Sequence, residues 1–580
     1  MPDIALKPEP NVIGRDGMNP RQRVVARNAK LRNILSRWIT HWRDINDFIL
    51  PRRLSYLASD KNDGSKKNGR IIRSTATKAA RILGAGKLVN ETSPVRPWFR
   101  FKPPRDLAGN SACTTWAAQA ETIMYSAMSL SNIYAALYEL WFGQGTFGTA
   151  ALYVEEDDKR DFNARVFPLG QYALASSGKG RIDQMYRDFC TMTVEEVVVE
   201  FGLDNCSPTL RLQWQQGDLD SQVEIIHKIE PNRNRVTGKI DNLNMPFRSE
   251  WWEKVCTDDW NRPLRIMGYE EQPFMVARWN VLGDDLYGSD CPGMDALGDT
   301  KGQQHVAIRR AEAFDKGLTP PTKAPVSART SKLSLLPGDN TYIDETAQGT
   351  KFEPIIEVKP EWVSVADKTL SDDDRRIFSI FFADLFQMFL LDDSQQPRTA
   401  TDINRRYEEK MLQLGPVVLL DITDVLDPLL KRIYAILIRR GKIPPPPPEL
   451  EGRVMEIEYV SNMAQAQKLL GSAATERALS ILGSVSAVKP EVLDLYNFDA
   501  GLRNYFDMIG VRPDEVNPEE VVTQLRQARA QREQEAQAMQ QAQGTAEAAK
   551  AASQAQMTPD SLLSRLMAGA GVISPDYGRS

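Results

Sequence analysis

The sequence predicts an α+β chain of several units, and three observations carry that prediction. Long stretches place apolar residues at three- and four-residue steps. Between them, residues 148–282 shorten into strand-like pieces broken by Gly and Asn. The length of 580 residues exceeds what one core usually fills and argues for about three or four units.

Residues 21–50 open with Val24, Leu31, Ile34, Leu35, Trp38, Trp42 and Ile45 at helical spacing among Arg and Lys, so an amphipathic helix ended by Pro51 is expected. Its aromatic stripe reads as core rather than as a platform for stacked bases. A Gly- and Lys-containing loop, 60–69, precedes a helix over 74–90, and Pro94, Pro97, Pro103 and Pro104 then break the chain. Further on, 133–142 reads as a helix and 151–154, 186–190, 223–229 and 274–281 as strands. Thr193 and Glu196 form a capping-box pattern for a helix closed by Gly202. The carboxylates Glu155, Glu156, Asp157 and Asp158 invite a metal or acid/base reading, but no second constellation accompanies them, and an exposed hairpin tip is the better expectation.

A helix over 293–316 follows, containing Gly298 and Gly302, whose spacing would let helices approach closely. Short strands at 342–343 and 352–358 then separate it from a second long helix. From 377 to 391 only Ser379, Asp384 and Gln387 are not apolar, so a buried, continuous helix is expected, too short to span a bilayer. Residues 392–398 form a polar break at Pro397, and Thr399 or Thr401 can cap the charged helix beyond it. Pro428 cannot sit inside a straight helix, which predicts a helix restarted on an Asp427 cap. After the prolines at 444–448 come a strand at 454–460, a helix at 464–482, a Gln- and Ala-rich helix over 517–556 with little apolar face, and a short helix at 559–567.

Two glycine motifs suggest nucleotides and fail in context. Around Gly84, Gly86 and Lys87 the position five before Gly86 is Arg81 and Lys87 is followed by Leu88, so the phosphate-loop pattern breaks at both ends. Gly143, Gly145 and Gly148 match GxGxxG literally, but a helix precedes them and a strand follows, the reverse of a dinucleotide site. A nucleotide-dependent enzyme is therefore the weaker alternative. His41, His227 and His305 stand alone, the five cysteines lack CxxC spacing, and no cofactor or metal is expected. Residues 1–105 carry 23 Lys and Arg against 8 Asp and Glu, a balance of +15, whereas the whole chain is −5 and the remainder −20. That asymmetry permits a basic surface facing nucleic acid or an acidic partner.

The run from Arg398, Thr399, Ala400 and Thr401 through Glu408, Glu409, Lys410 and Met411 to Gly415 and Pro416, then Leu426, Asp427, Pro428 and Leu429, then Arg440, Gly441, Lys442 and Ile443, resembles the head-to-tail connecting (portal) proteins of short-tailed, podovirus-type bacteriophages. Leu286, Tyr287 and Gly288 with Pro292, Gly293 and Met294, and Glu458 to Ser461 in the stretch 454–467, resemble the same family. The likeness runs from about Arg21 to Val522.

The resemblance implies a ring-forming α+β protomer: an N-terminal wing over 1–292, a first stem helix 293–316, a small α/β clip 317–366, a second stem helix 367–391, a channel loop 392–398, a wing continuation 399–465 and a helical crown or barrel with tail over 466–580. It implies no catalytic residues. The DNA-channel loop would present Asp392, Asp393, Gln395, Gln396 and Arg398, and Phe378, Phe382, Phe386 and Phe389 would serve subunit contact. The implied partners are eleven further copies in a dodecamer, double-stranded DNA read without sequence preference, the large subunit of a packaging terminase, tail adaptors, and capsid and scaffolding proteins, with no membrane. The implied place is the portal vertex of the virion, after synthesis in the host cytoplasm.

Overall fold

The computed structural model describes residues 18–51, 69–107, 110–178, 180–239, 241–256, 260–318, 322–323, 353–354, 359–386, 413–453, 455–460, 478, 480–484, 496–509, 516 and 519–554. The chain divides into two units, Met1–Ala478 and Leu479–Ser580. Among the described residues the architecture is mixed α+β, mostly helical, with small antiparallel sheets.

In the first unit α1 (Pro20–Phe48) starts on a reciprocal capping box between Asn19 and Gln22, with Pro20 in the first helical position. It buries Leu31, Leu35, Trp42 and Ile45. Helix α2 (Thr75–Glu91), strand β1 (Phe99–Lys102) and α3 (Ser111–Leu130) follow, the last capped by Asn110, whose side chain accepts from the Ala112 N–H. Helix α4 (Ile133–Phe147) runs five residues past the expected end, because Gly143 and Gly145 lie inside it and only Gly148, at φ +79°, makes the turn. The reason is packing: a Cβ on Gly145 would stand 2.5 Å from the Leu83 side chain, so glycine lets α2 and α4 touch.

Strands β2 (Thr149–Asp157) and β3 (Asp161–Phe167) form a hairpin whose tip carries the acidic run. Three of its carboxylates are in ion pairs: Glu155 with Arg165, Glu156 with Arg439 at 2.8 Å, and Asp158 with Arg440 at 3.4 Å. Then come β4 (Tyr172–Ala175), β5 (Gln184–Thr193), α5 (Val194–Phe201) on the Thr193/Glu196 capping box, α6 (Pro208–Gln216), β6 (Gln222–Pro231), β7 (Phe247–Glu253), β8 (Arg265–Tyr269) and β9 (Phe274–Arg278). One antiparallel sheet runs β4-β5-β6-β7-β8, the other β3-β2-β9.

The two-residue period of a strand explains how the smaller sheet sits between two cores. Ala151, Tyr153, Phe274 and Val276 face a core shared with α1, α2 and α4. Their neighbours Ala150, Leu152, Val154, Met275 and Ala277 face a second core built with β1 and α3. In the larger sheet Ile226 and Trp252 pack under Val24 and Leu31 of α1, while Ile225 packs with Val194 and Val197 of α5.

The helix expected over 293–316 is two pieces, α7 (Pro292–Asp295) and α8 (Leu297–Leu318), joined at Ala296. Gly298 and Gly302 mark no close helix contact within the protomer, since a Cβ on either would meet nothing within 4 Å. A two-residue ladder joins β10 (Thr322–Lys323) to β11 (Glu353–Pro354). Helix α9 (Pro360–Ile380) begins at Pro360 and does not continue to 391. It breaks at Phe381 and Phe382, the latter at φ +52°, before the short α10 (Ala383–Phe386).

The restart expected on an Asp427 cap is absent. Helix α11 (Gly415–Asp421) passes through a π-helical turn, Ile422–Leu426, into α12 (Asp427–Arg439), and Asp427 itself is helical at φ −58°, ψ −53°. The wider turn accommodates Pro428, which lacks the N–H a regular turn would use. Strand β12 (Glu456–Tyr459) returns to pair with β1, and Tyr459 donates to Asp427 at 2.5 Å.

In the second unit, α13 (Phe498–Ile509) and the 36-residue α14 (Glu519–Gln554) are joined by Arg526 gripping Asp499 at 2.6 and 2.7 Å. Every side chain from 523 to 547 is exposed. The helix expected at 559–567 lies outside the described residues.

Candidate functional site

Helices α8 and α9 run antiparallel: Gln303 donates to Asp374 at 2.7 Å, and seven residues along α8, Arg310 meets Asp367 at 2.5 Å, seven residues earlier on α9. The segment 319–359 connects their far ends. At the near end the pair is anchored by a polar clasp. The Gln304 side chain accepts from the Ile72 and Arg73 N–H groups at 2.8 Å and donates to the Arg73 carbonyl at 2.8 Å. Asp374 accepts from Arg73 at 2.7 Å, from Thr75 at 2.6 Å and from Gln303. Three donors on one carboxylate hold both helices to the start of α2.

Residues 286–294 wrap the end of α4. Tyr287, 1% exposed, packs its ring on Trp38 and Trp42, and its hydroxyl oxygen accepts from the Leu174 N–H at 3.1 Å. The Gly288 N–H donates to Thr149 Oγ1 at 2.8 Å, and Cys291 Sγ lies 3.3 Å from the Thr146 carbonyl oxygen. A Cβ on Gly288 would fall 2.1 Å from the Gly148 carbonyl oxygen, and one on Gly293 2.0 Å from that of Thr146. These glycines are required because backbone meets backbone there.

Beneath this junction lies a buried charge centre. The ammonium of Lys87 on α2 donates to Asp421 and to Gln144, each at 2.6 Å, with Glu91 3.5 Å away, and it sits 4.5 Å from the Trp141 ring centroid and 5.2 Å from that of Trp279. Gln144 also donates to Asp421 at 2.5 Å and to the Arg278 carbonyl at 3.1 Å. Arg278 in turn pairs with Asp424 at 2.7 Å, inside the π-helical turn. Burial pushes the Glu91 carboxyl up to about 8; Lys87 opposes this and the Asp421 charge adds to it. Burial raises Asp421 as well, against Lys87 and Gln144.

The sequence motifs land unevenly on this framework. Lys87 takes no part in a phosphate loop; it is a helical, fully buried cation. Phe378, Phe382 and Phe386 are partly buried against the core of their own protomer. Phe386 lies where a Cβ on Gly86 would come within 2.3 Å of its ring, and Phe382 lies 6.3 Å from Trp279. A role in subunit contact rests on the part of these rings left exposed. Phe389, and the loop residues Asp392, Asp393, Gln395, Gln396 and Arg398, lie outside the described residues. Sequence reasoning missed the Lys87 centre because its partner Asp421 is 334 positions away. Among the described residues no group of three or more His, Cys, Asp or Glu is arranged to hold a metal ion, and no helix is long and apolar enough to cross a membrane.

The model of the family described as bacteriophage head to tail connecting protein matches residues 21–516, most of the chain. The chain belongs to that family. The head-to-tail connecting protein is also 37% identical over 553 residues to the portal protein of Salmonella phage epsilon15, covering 95% of this chain and 98% of the relative. To the probable portal protein of Bordetella phage BPP-1 it is 36% identical over 519 residues, covering 89% and 92%. The connector is thus a structural phage portal protein of the virion's capsid vertex, not an enzyme, and membership implies an oligomeric ring associated with capsid and DNA. The motif around Gly288 and Gly293 and the run through Asp427 and Pro428, which carried the resemblance, are here the junction below α8 and the start of α12 directly after the π-helical turn.

Proposed function

We propose that this connector closes into a dodecamer around a DNA channel, with α8 and α9 as the stem helices, the segment between them as the clip, 392–398 as the channel loop, 1–292 and 399–465 as the wing and 466–580 as the crown. The observation that carries this reading is the antiparallel α8–α9 pair, clasped at one end and connected at the other by a separate segment. Its surface suits a ring: Phe314, Leu318, Trp362 and Val365 are each more than half exposed, a larger apolar face than scattered surface residues present. Together with the exposed parts of Phe378, Phe382 and Phe386 they supply the contact to neighbouring copies. An α14 exposed from 523 to 547 suits a crown in which neighbouring subunits pack helix to helix. The clip offers the docking surface for the terminase large subunit and later for tail adaptors, and the outer wing meets capsid and scaffolding proteins.

In a ring every loop side chain repeats about the axis, so Asp392 and Asp393 offset Arg398 and leave a surface along which duplex DNA slides. Replacing Asp392 and Asp393 by Lys is expected to slow packaging and ejection several-fold while rings still assemble. Normal DNA passage in that double variant would remove 392–398 from the channel.

A further inference from the structure

The outer face of α1 carries a strip of exposed cations. Between Pro20 and Arg43 the helix carries seven Lys and Arg and no Asp or Glu. Arg21 and Arg32 turn inward, to the Lys254 carbonyl oxygen at 3.2 Å and to the carbonyl oxygens of Gly170 and Gln171 at 2.8 and 2.9 Å, so they belong to the core of the wing. At 100° per residue, Arg23, Arg27, Lys30, Ile34, Arg37 and His41 fall within an arc of about 80° on the opposite side. Arg27, Lys30, Ile34, Arg37 and His41 are all exposed.

The composition of this strip selects its partner. A membrane surface needs an apolar face beside the cations, and Ile34 alone supplies one here. The centre of a protein interface is rich in aromatic residues and poor in Lys, and the strip holds no Phe, Tyr or Trp. Arginine presents a fork that fits a phosphate, and Arg27 to Arg37 span about 15 Å of helix at 1.5 Å per residue. That length faces roughly nine duplex charges at about 1.7 Å per charge.

We propose that the Arg27–Lys30–Arg37 face of α1 holds the phosphate backbone of duplex DNA without reading its sequence, a second DNA contact besides the channel loop. The identity of the polyanion rests on the portal reading; the face itself rests on the helix geometry. In a chain whose other 475 residues carry a balance of −20, such a strip concentrates DNA attraction on one element.

The test is binding of a fluorescent 60-base-pair duplex of arbitrary sequence to full-length rings, followed by anisotropy between 50 and 200 mM salt. The triple variant Arg27→Gln, Lys30→Gln, Arg37→Gln is expected to lower the slope of log affinity against log salt by about 2–3, at about 0.9 per lost phosphate contact, and to weaken binding at least tenfold at the lower salt. Lys30→Gln alone, at one exposed position, is expected to lower the slope by about 0.9. Unchanged slopes in both variants, with wild-type rings that do bind the duplex, overturn the proposal and leave the portal reading intact. Loss of rings in the triple variant with an unchanged slope in Lys30→Gln assigns the face to a second copy of the chain and overturns it likewise. Wild-type rings that bind no duplex would sink both.

Discussion

Replacing Lys87 by Met is expected to destabilise the first unit by about 3–5 kcal/mol, the largest effect of any single substitution considered. Among the described residues the ammonium is the one cation within hydrogen-bonding distance of Asp421, and both lie essentially out of solvent. Removing it leaves a buried carboxylate with only Gln144 as donor, and a second carboxyl, Glu91, beside it. Trp141 and Trp279 flank the site, so intrinsic fluorescence reports the loss directly during thermal unfolding. The double variant Lys87→Met, Asp421→Leu removes both charges, and replacing a whole buried pair by apolar groups is close to neutral, so it should recover most of the lost stability. A double variant as unstable as Lys87→Met would show that the charge centre is not what holds α2 to α11.

The same centre sets a pH dependence. Glu91 has a folded-state carboxyl raised from 4.5 to about 8, so the folded protein retains a proton that the unfolded chain releases. Its contribution to stability is present below about pH 4.5 and is lost as the pH rises through about 8. Glu91→Gln, which cannot ionise, should flatten stability over that window, and the cost of Lys87→Met should grow toward alkaline pH as both carboxyls lose their counter-charge.

Gly293→Ala is the second large effect, an expected loss of about 3 kcal/mol or more through overpacking. The added methyl would stand 2.0 Å from the Thr146 carbonyl oxygen and 2.7 Å from its carbon, so the backbone of α7 or of α4 must move. That movement would also strain the contact of Gly288 with Gly148, which carries the start of β2. Gly302→Ala is the control: its methyl meets nothing within 4 Å, and alanine gains up to about 1 kcal/mol over glycine in a helix interior. Denaturation midpoints that fall for Gly293→Ala and rise or hold for Gly302→Ala are expected. Equal shifts for the two would show that the junction of α4 and α7 is not tightly packed.

Much of this fold is legible in the sequence because local chemistry writes it. Pro20 and Pro51 bracket α1, Thr193 and Glu196 cap α5, and the short alternating pieces between 148 and 282 become the two sheets. What escaped was non-local. A run of phenylalanines from 377 reads as one helix, but α9 and α10 part at Phe381 and Phe382, with Phe381 fully buried and Phe386 laid over Gly86. Tertiary packing there overrides propensity. Pro428 reads as a helix break, yet a π-helical turn absorbs it. The Lys87 centre leaves no local trace, because a single lysine on a helix looks like any exposed one until Asp421 is brought beside it. The resemblance to head-to-tail connecting proteins supplied what periodicity could not, the expected division into stem, clip, loop and crown and the expected DNA-channel residues, on which the proposed function is built.

Native mass spectrometry of the purified full-length chain tests the ring most directly. A closed assembly near twelve times the 65.2 kDa protomer is the predicted result. A particle that stays monomeric or dimeric at micromolar concentration would contradict it.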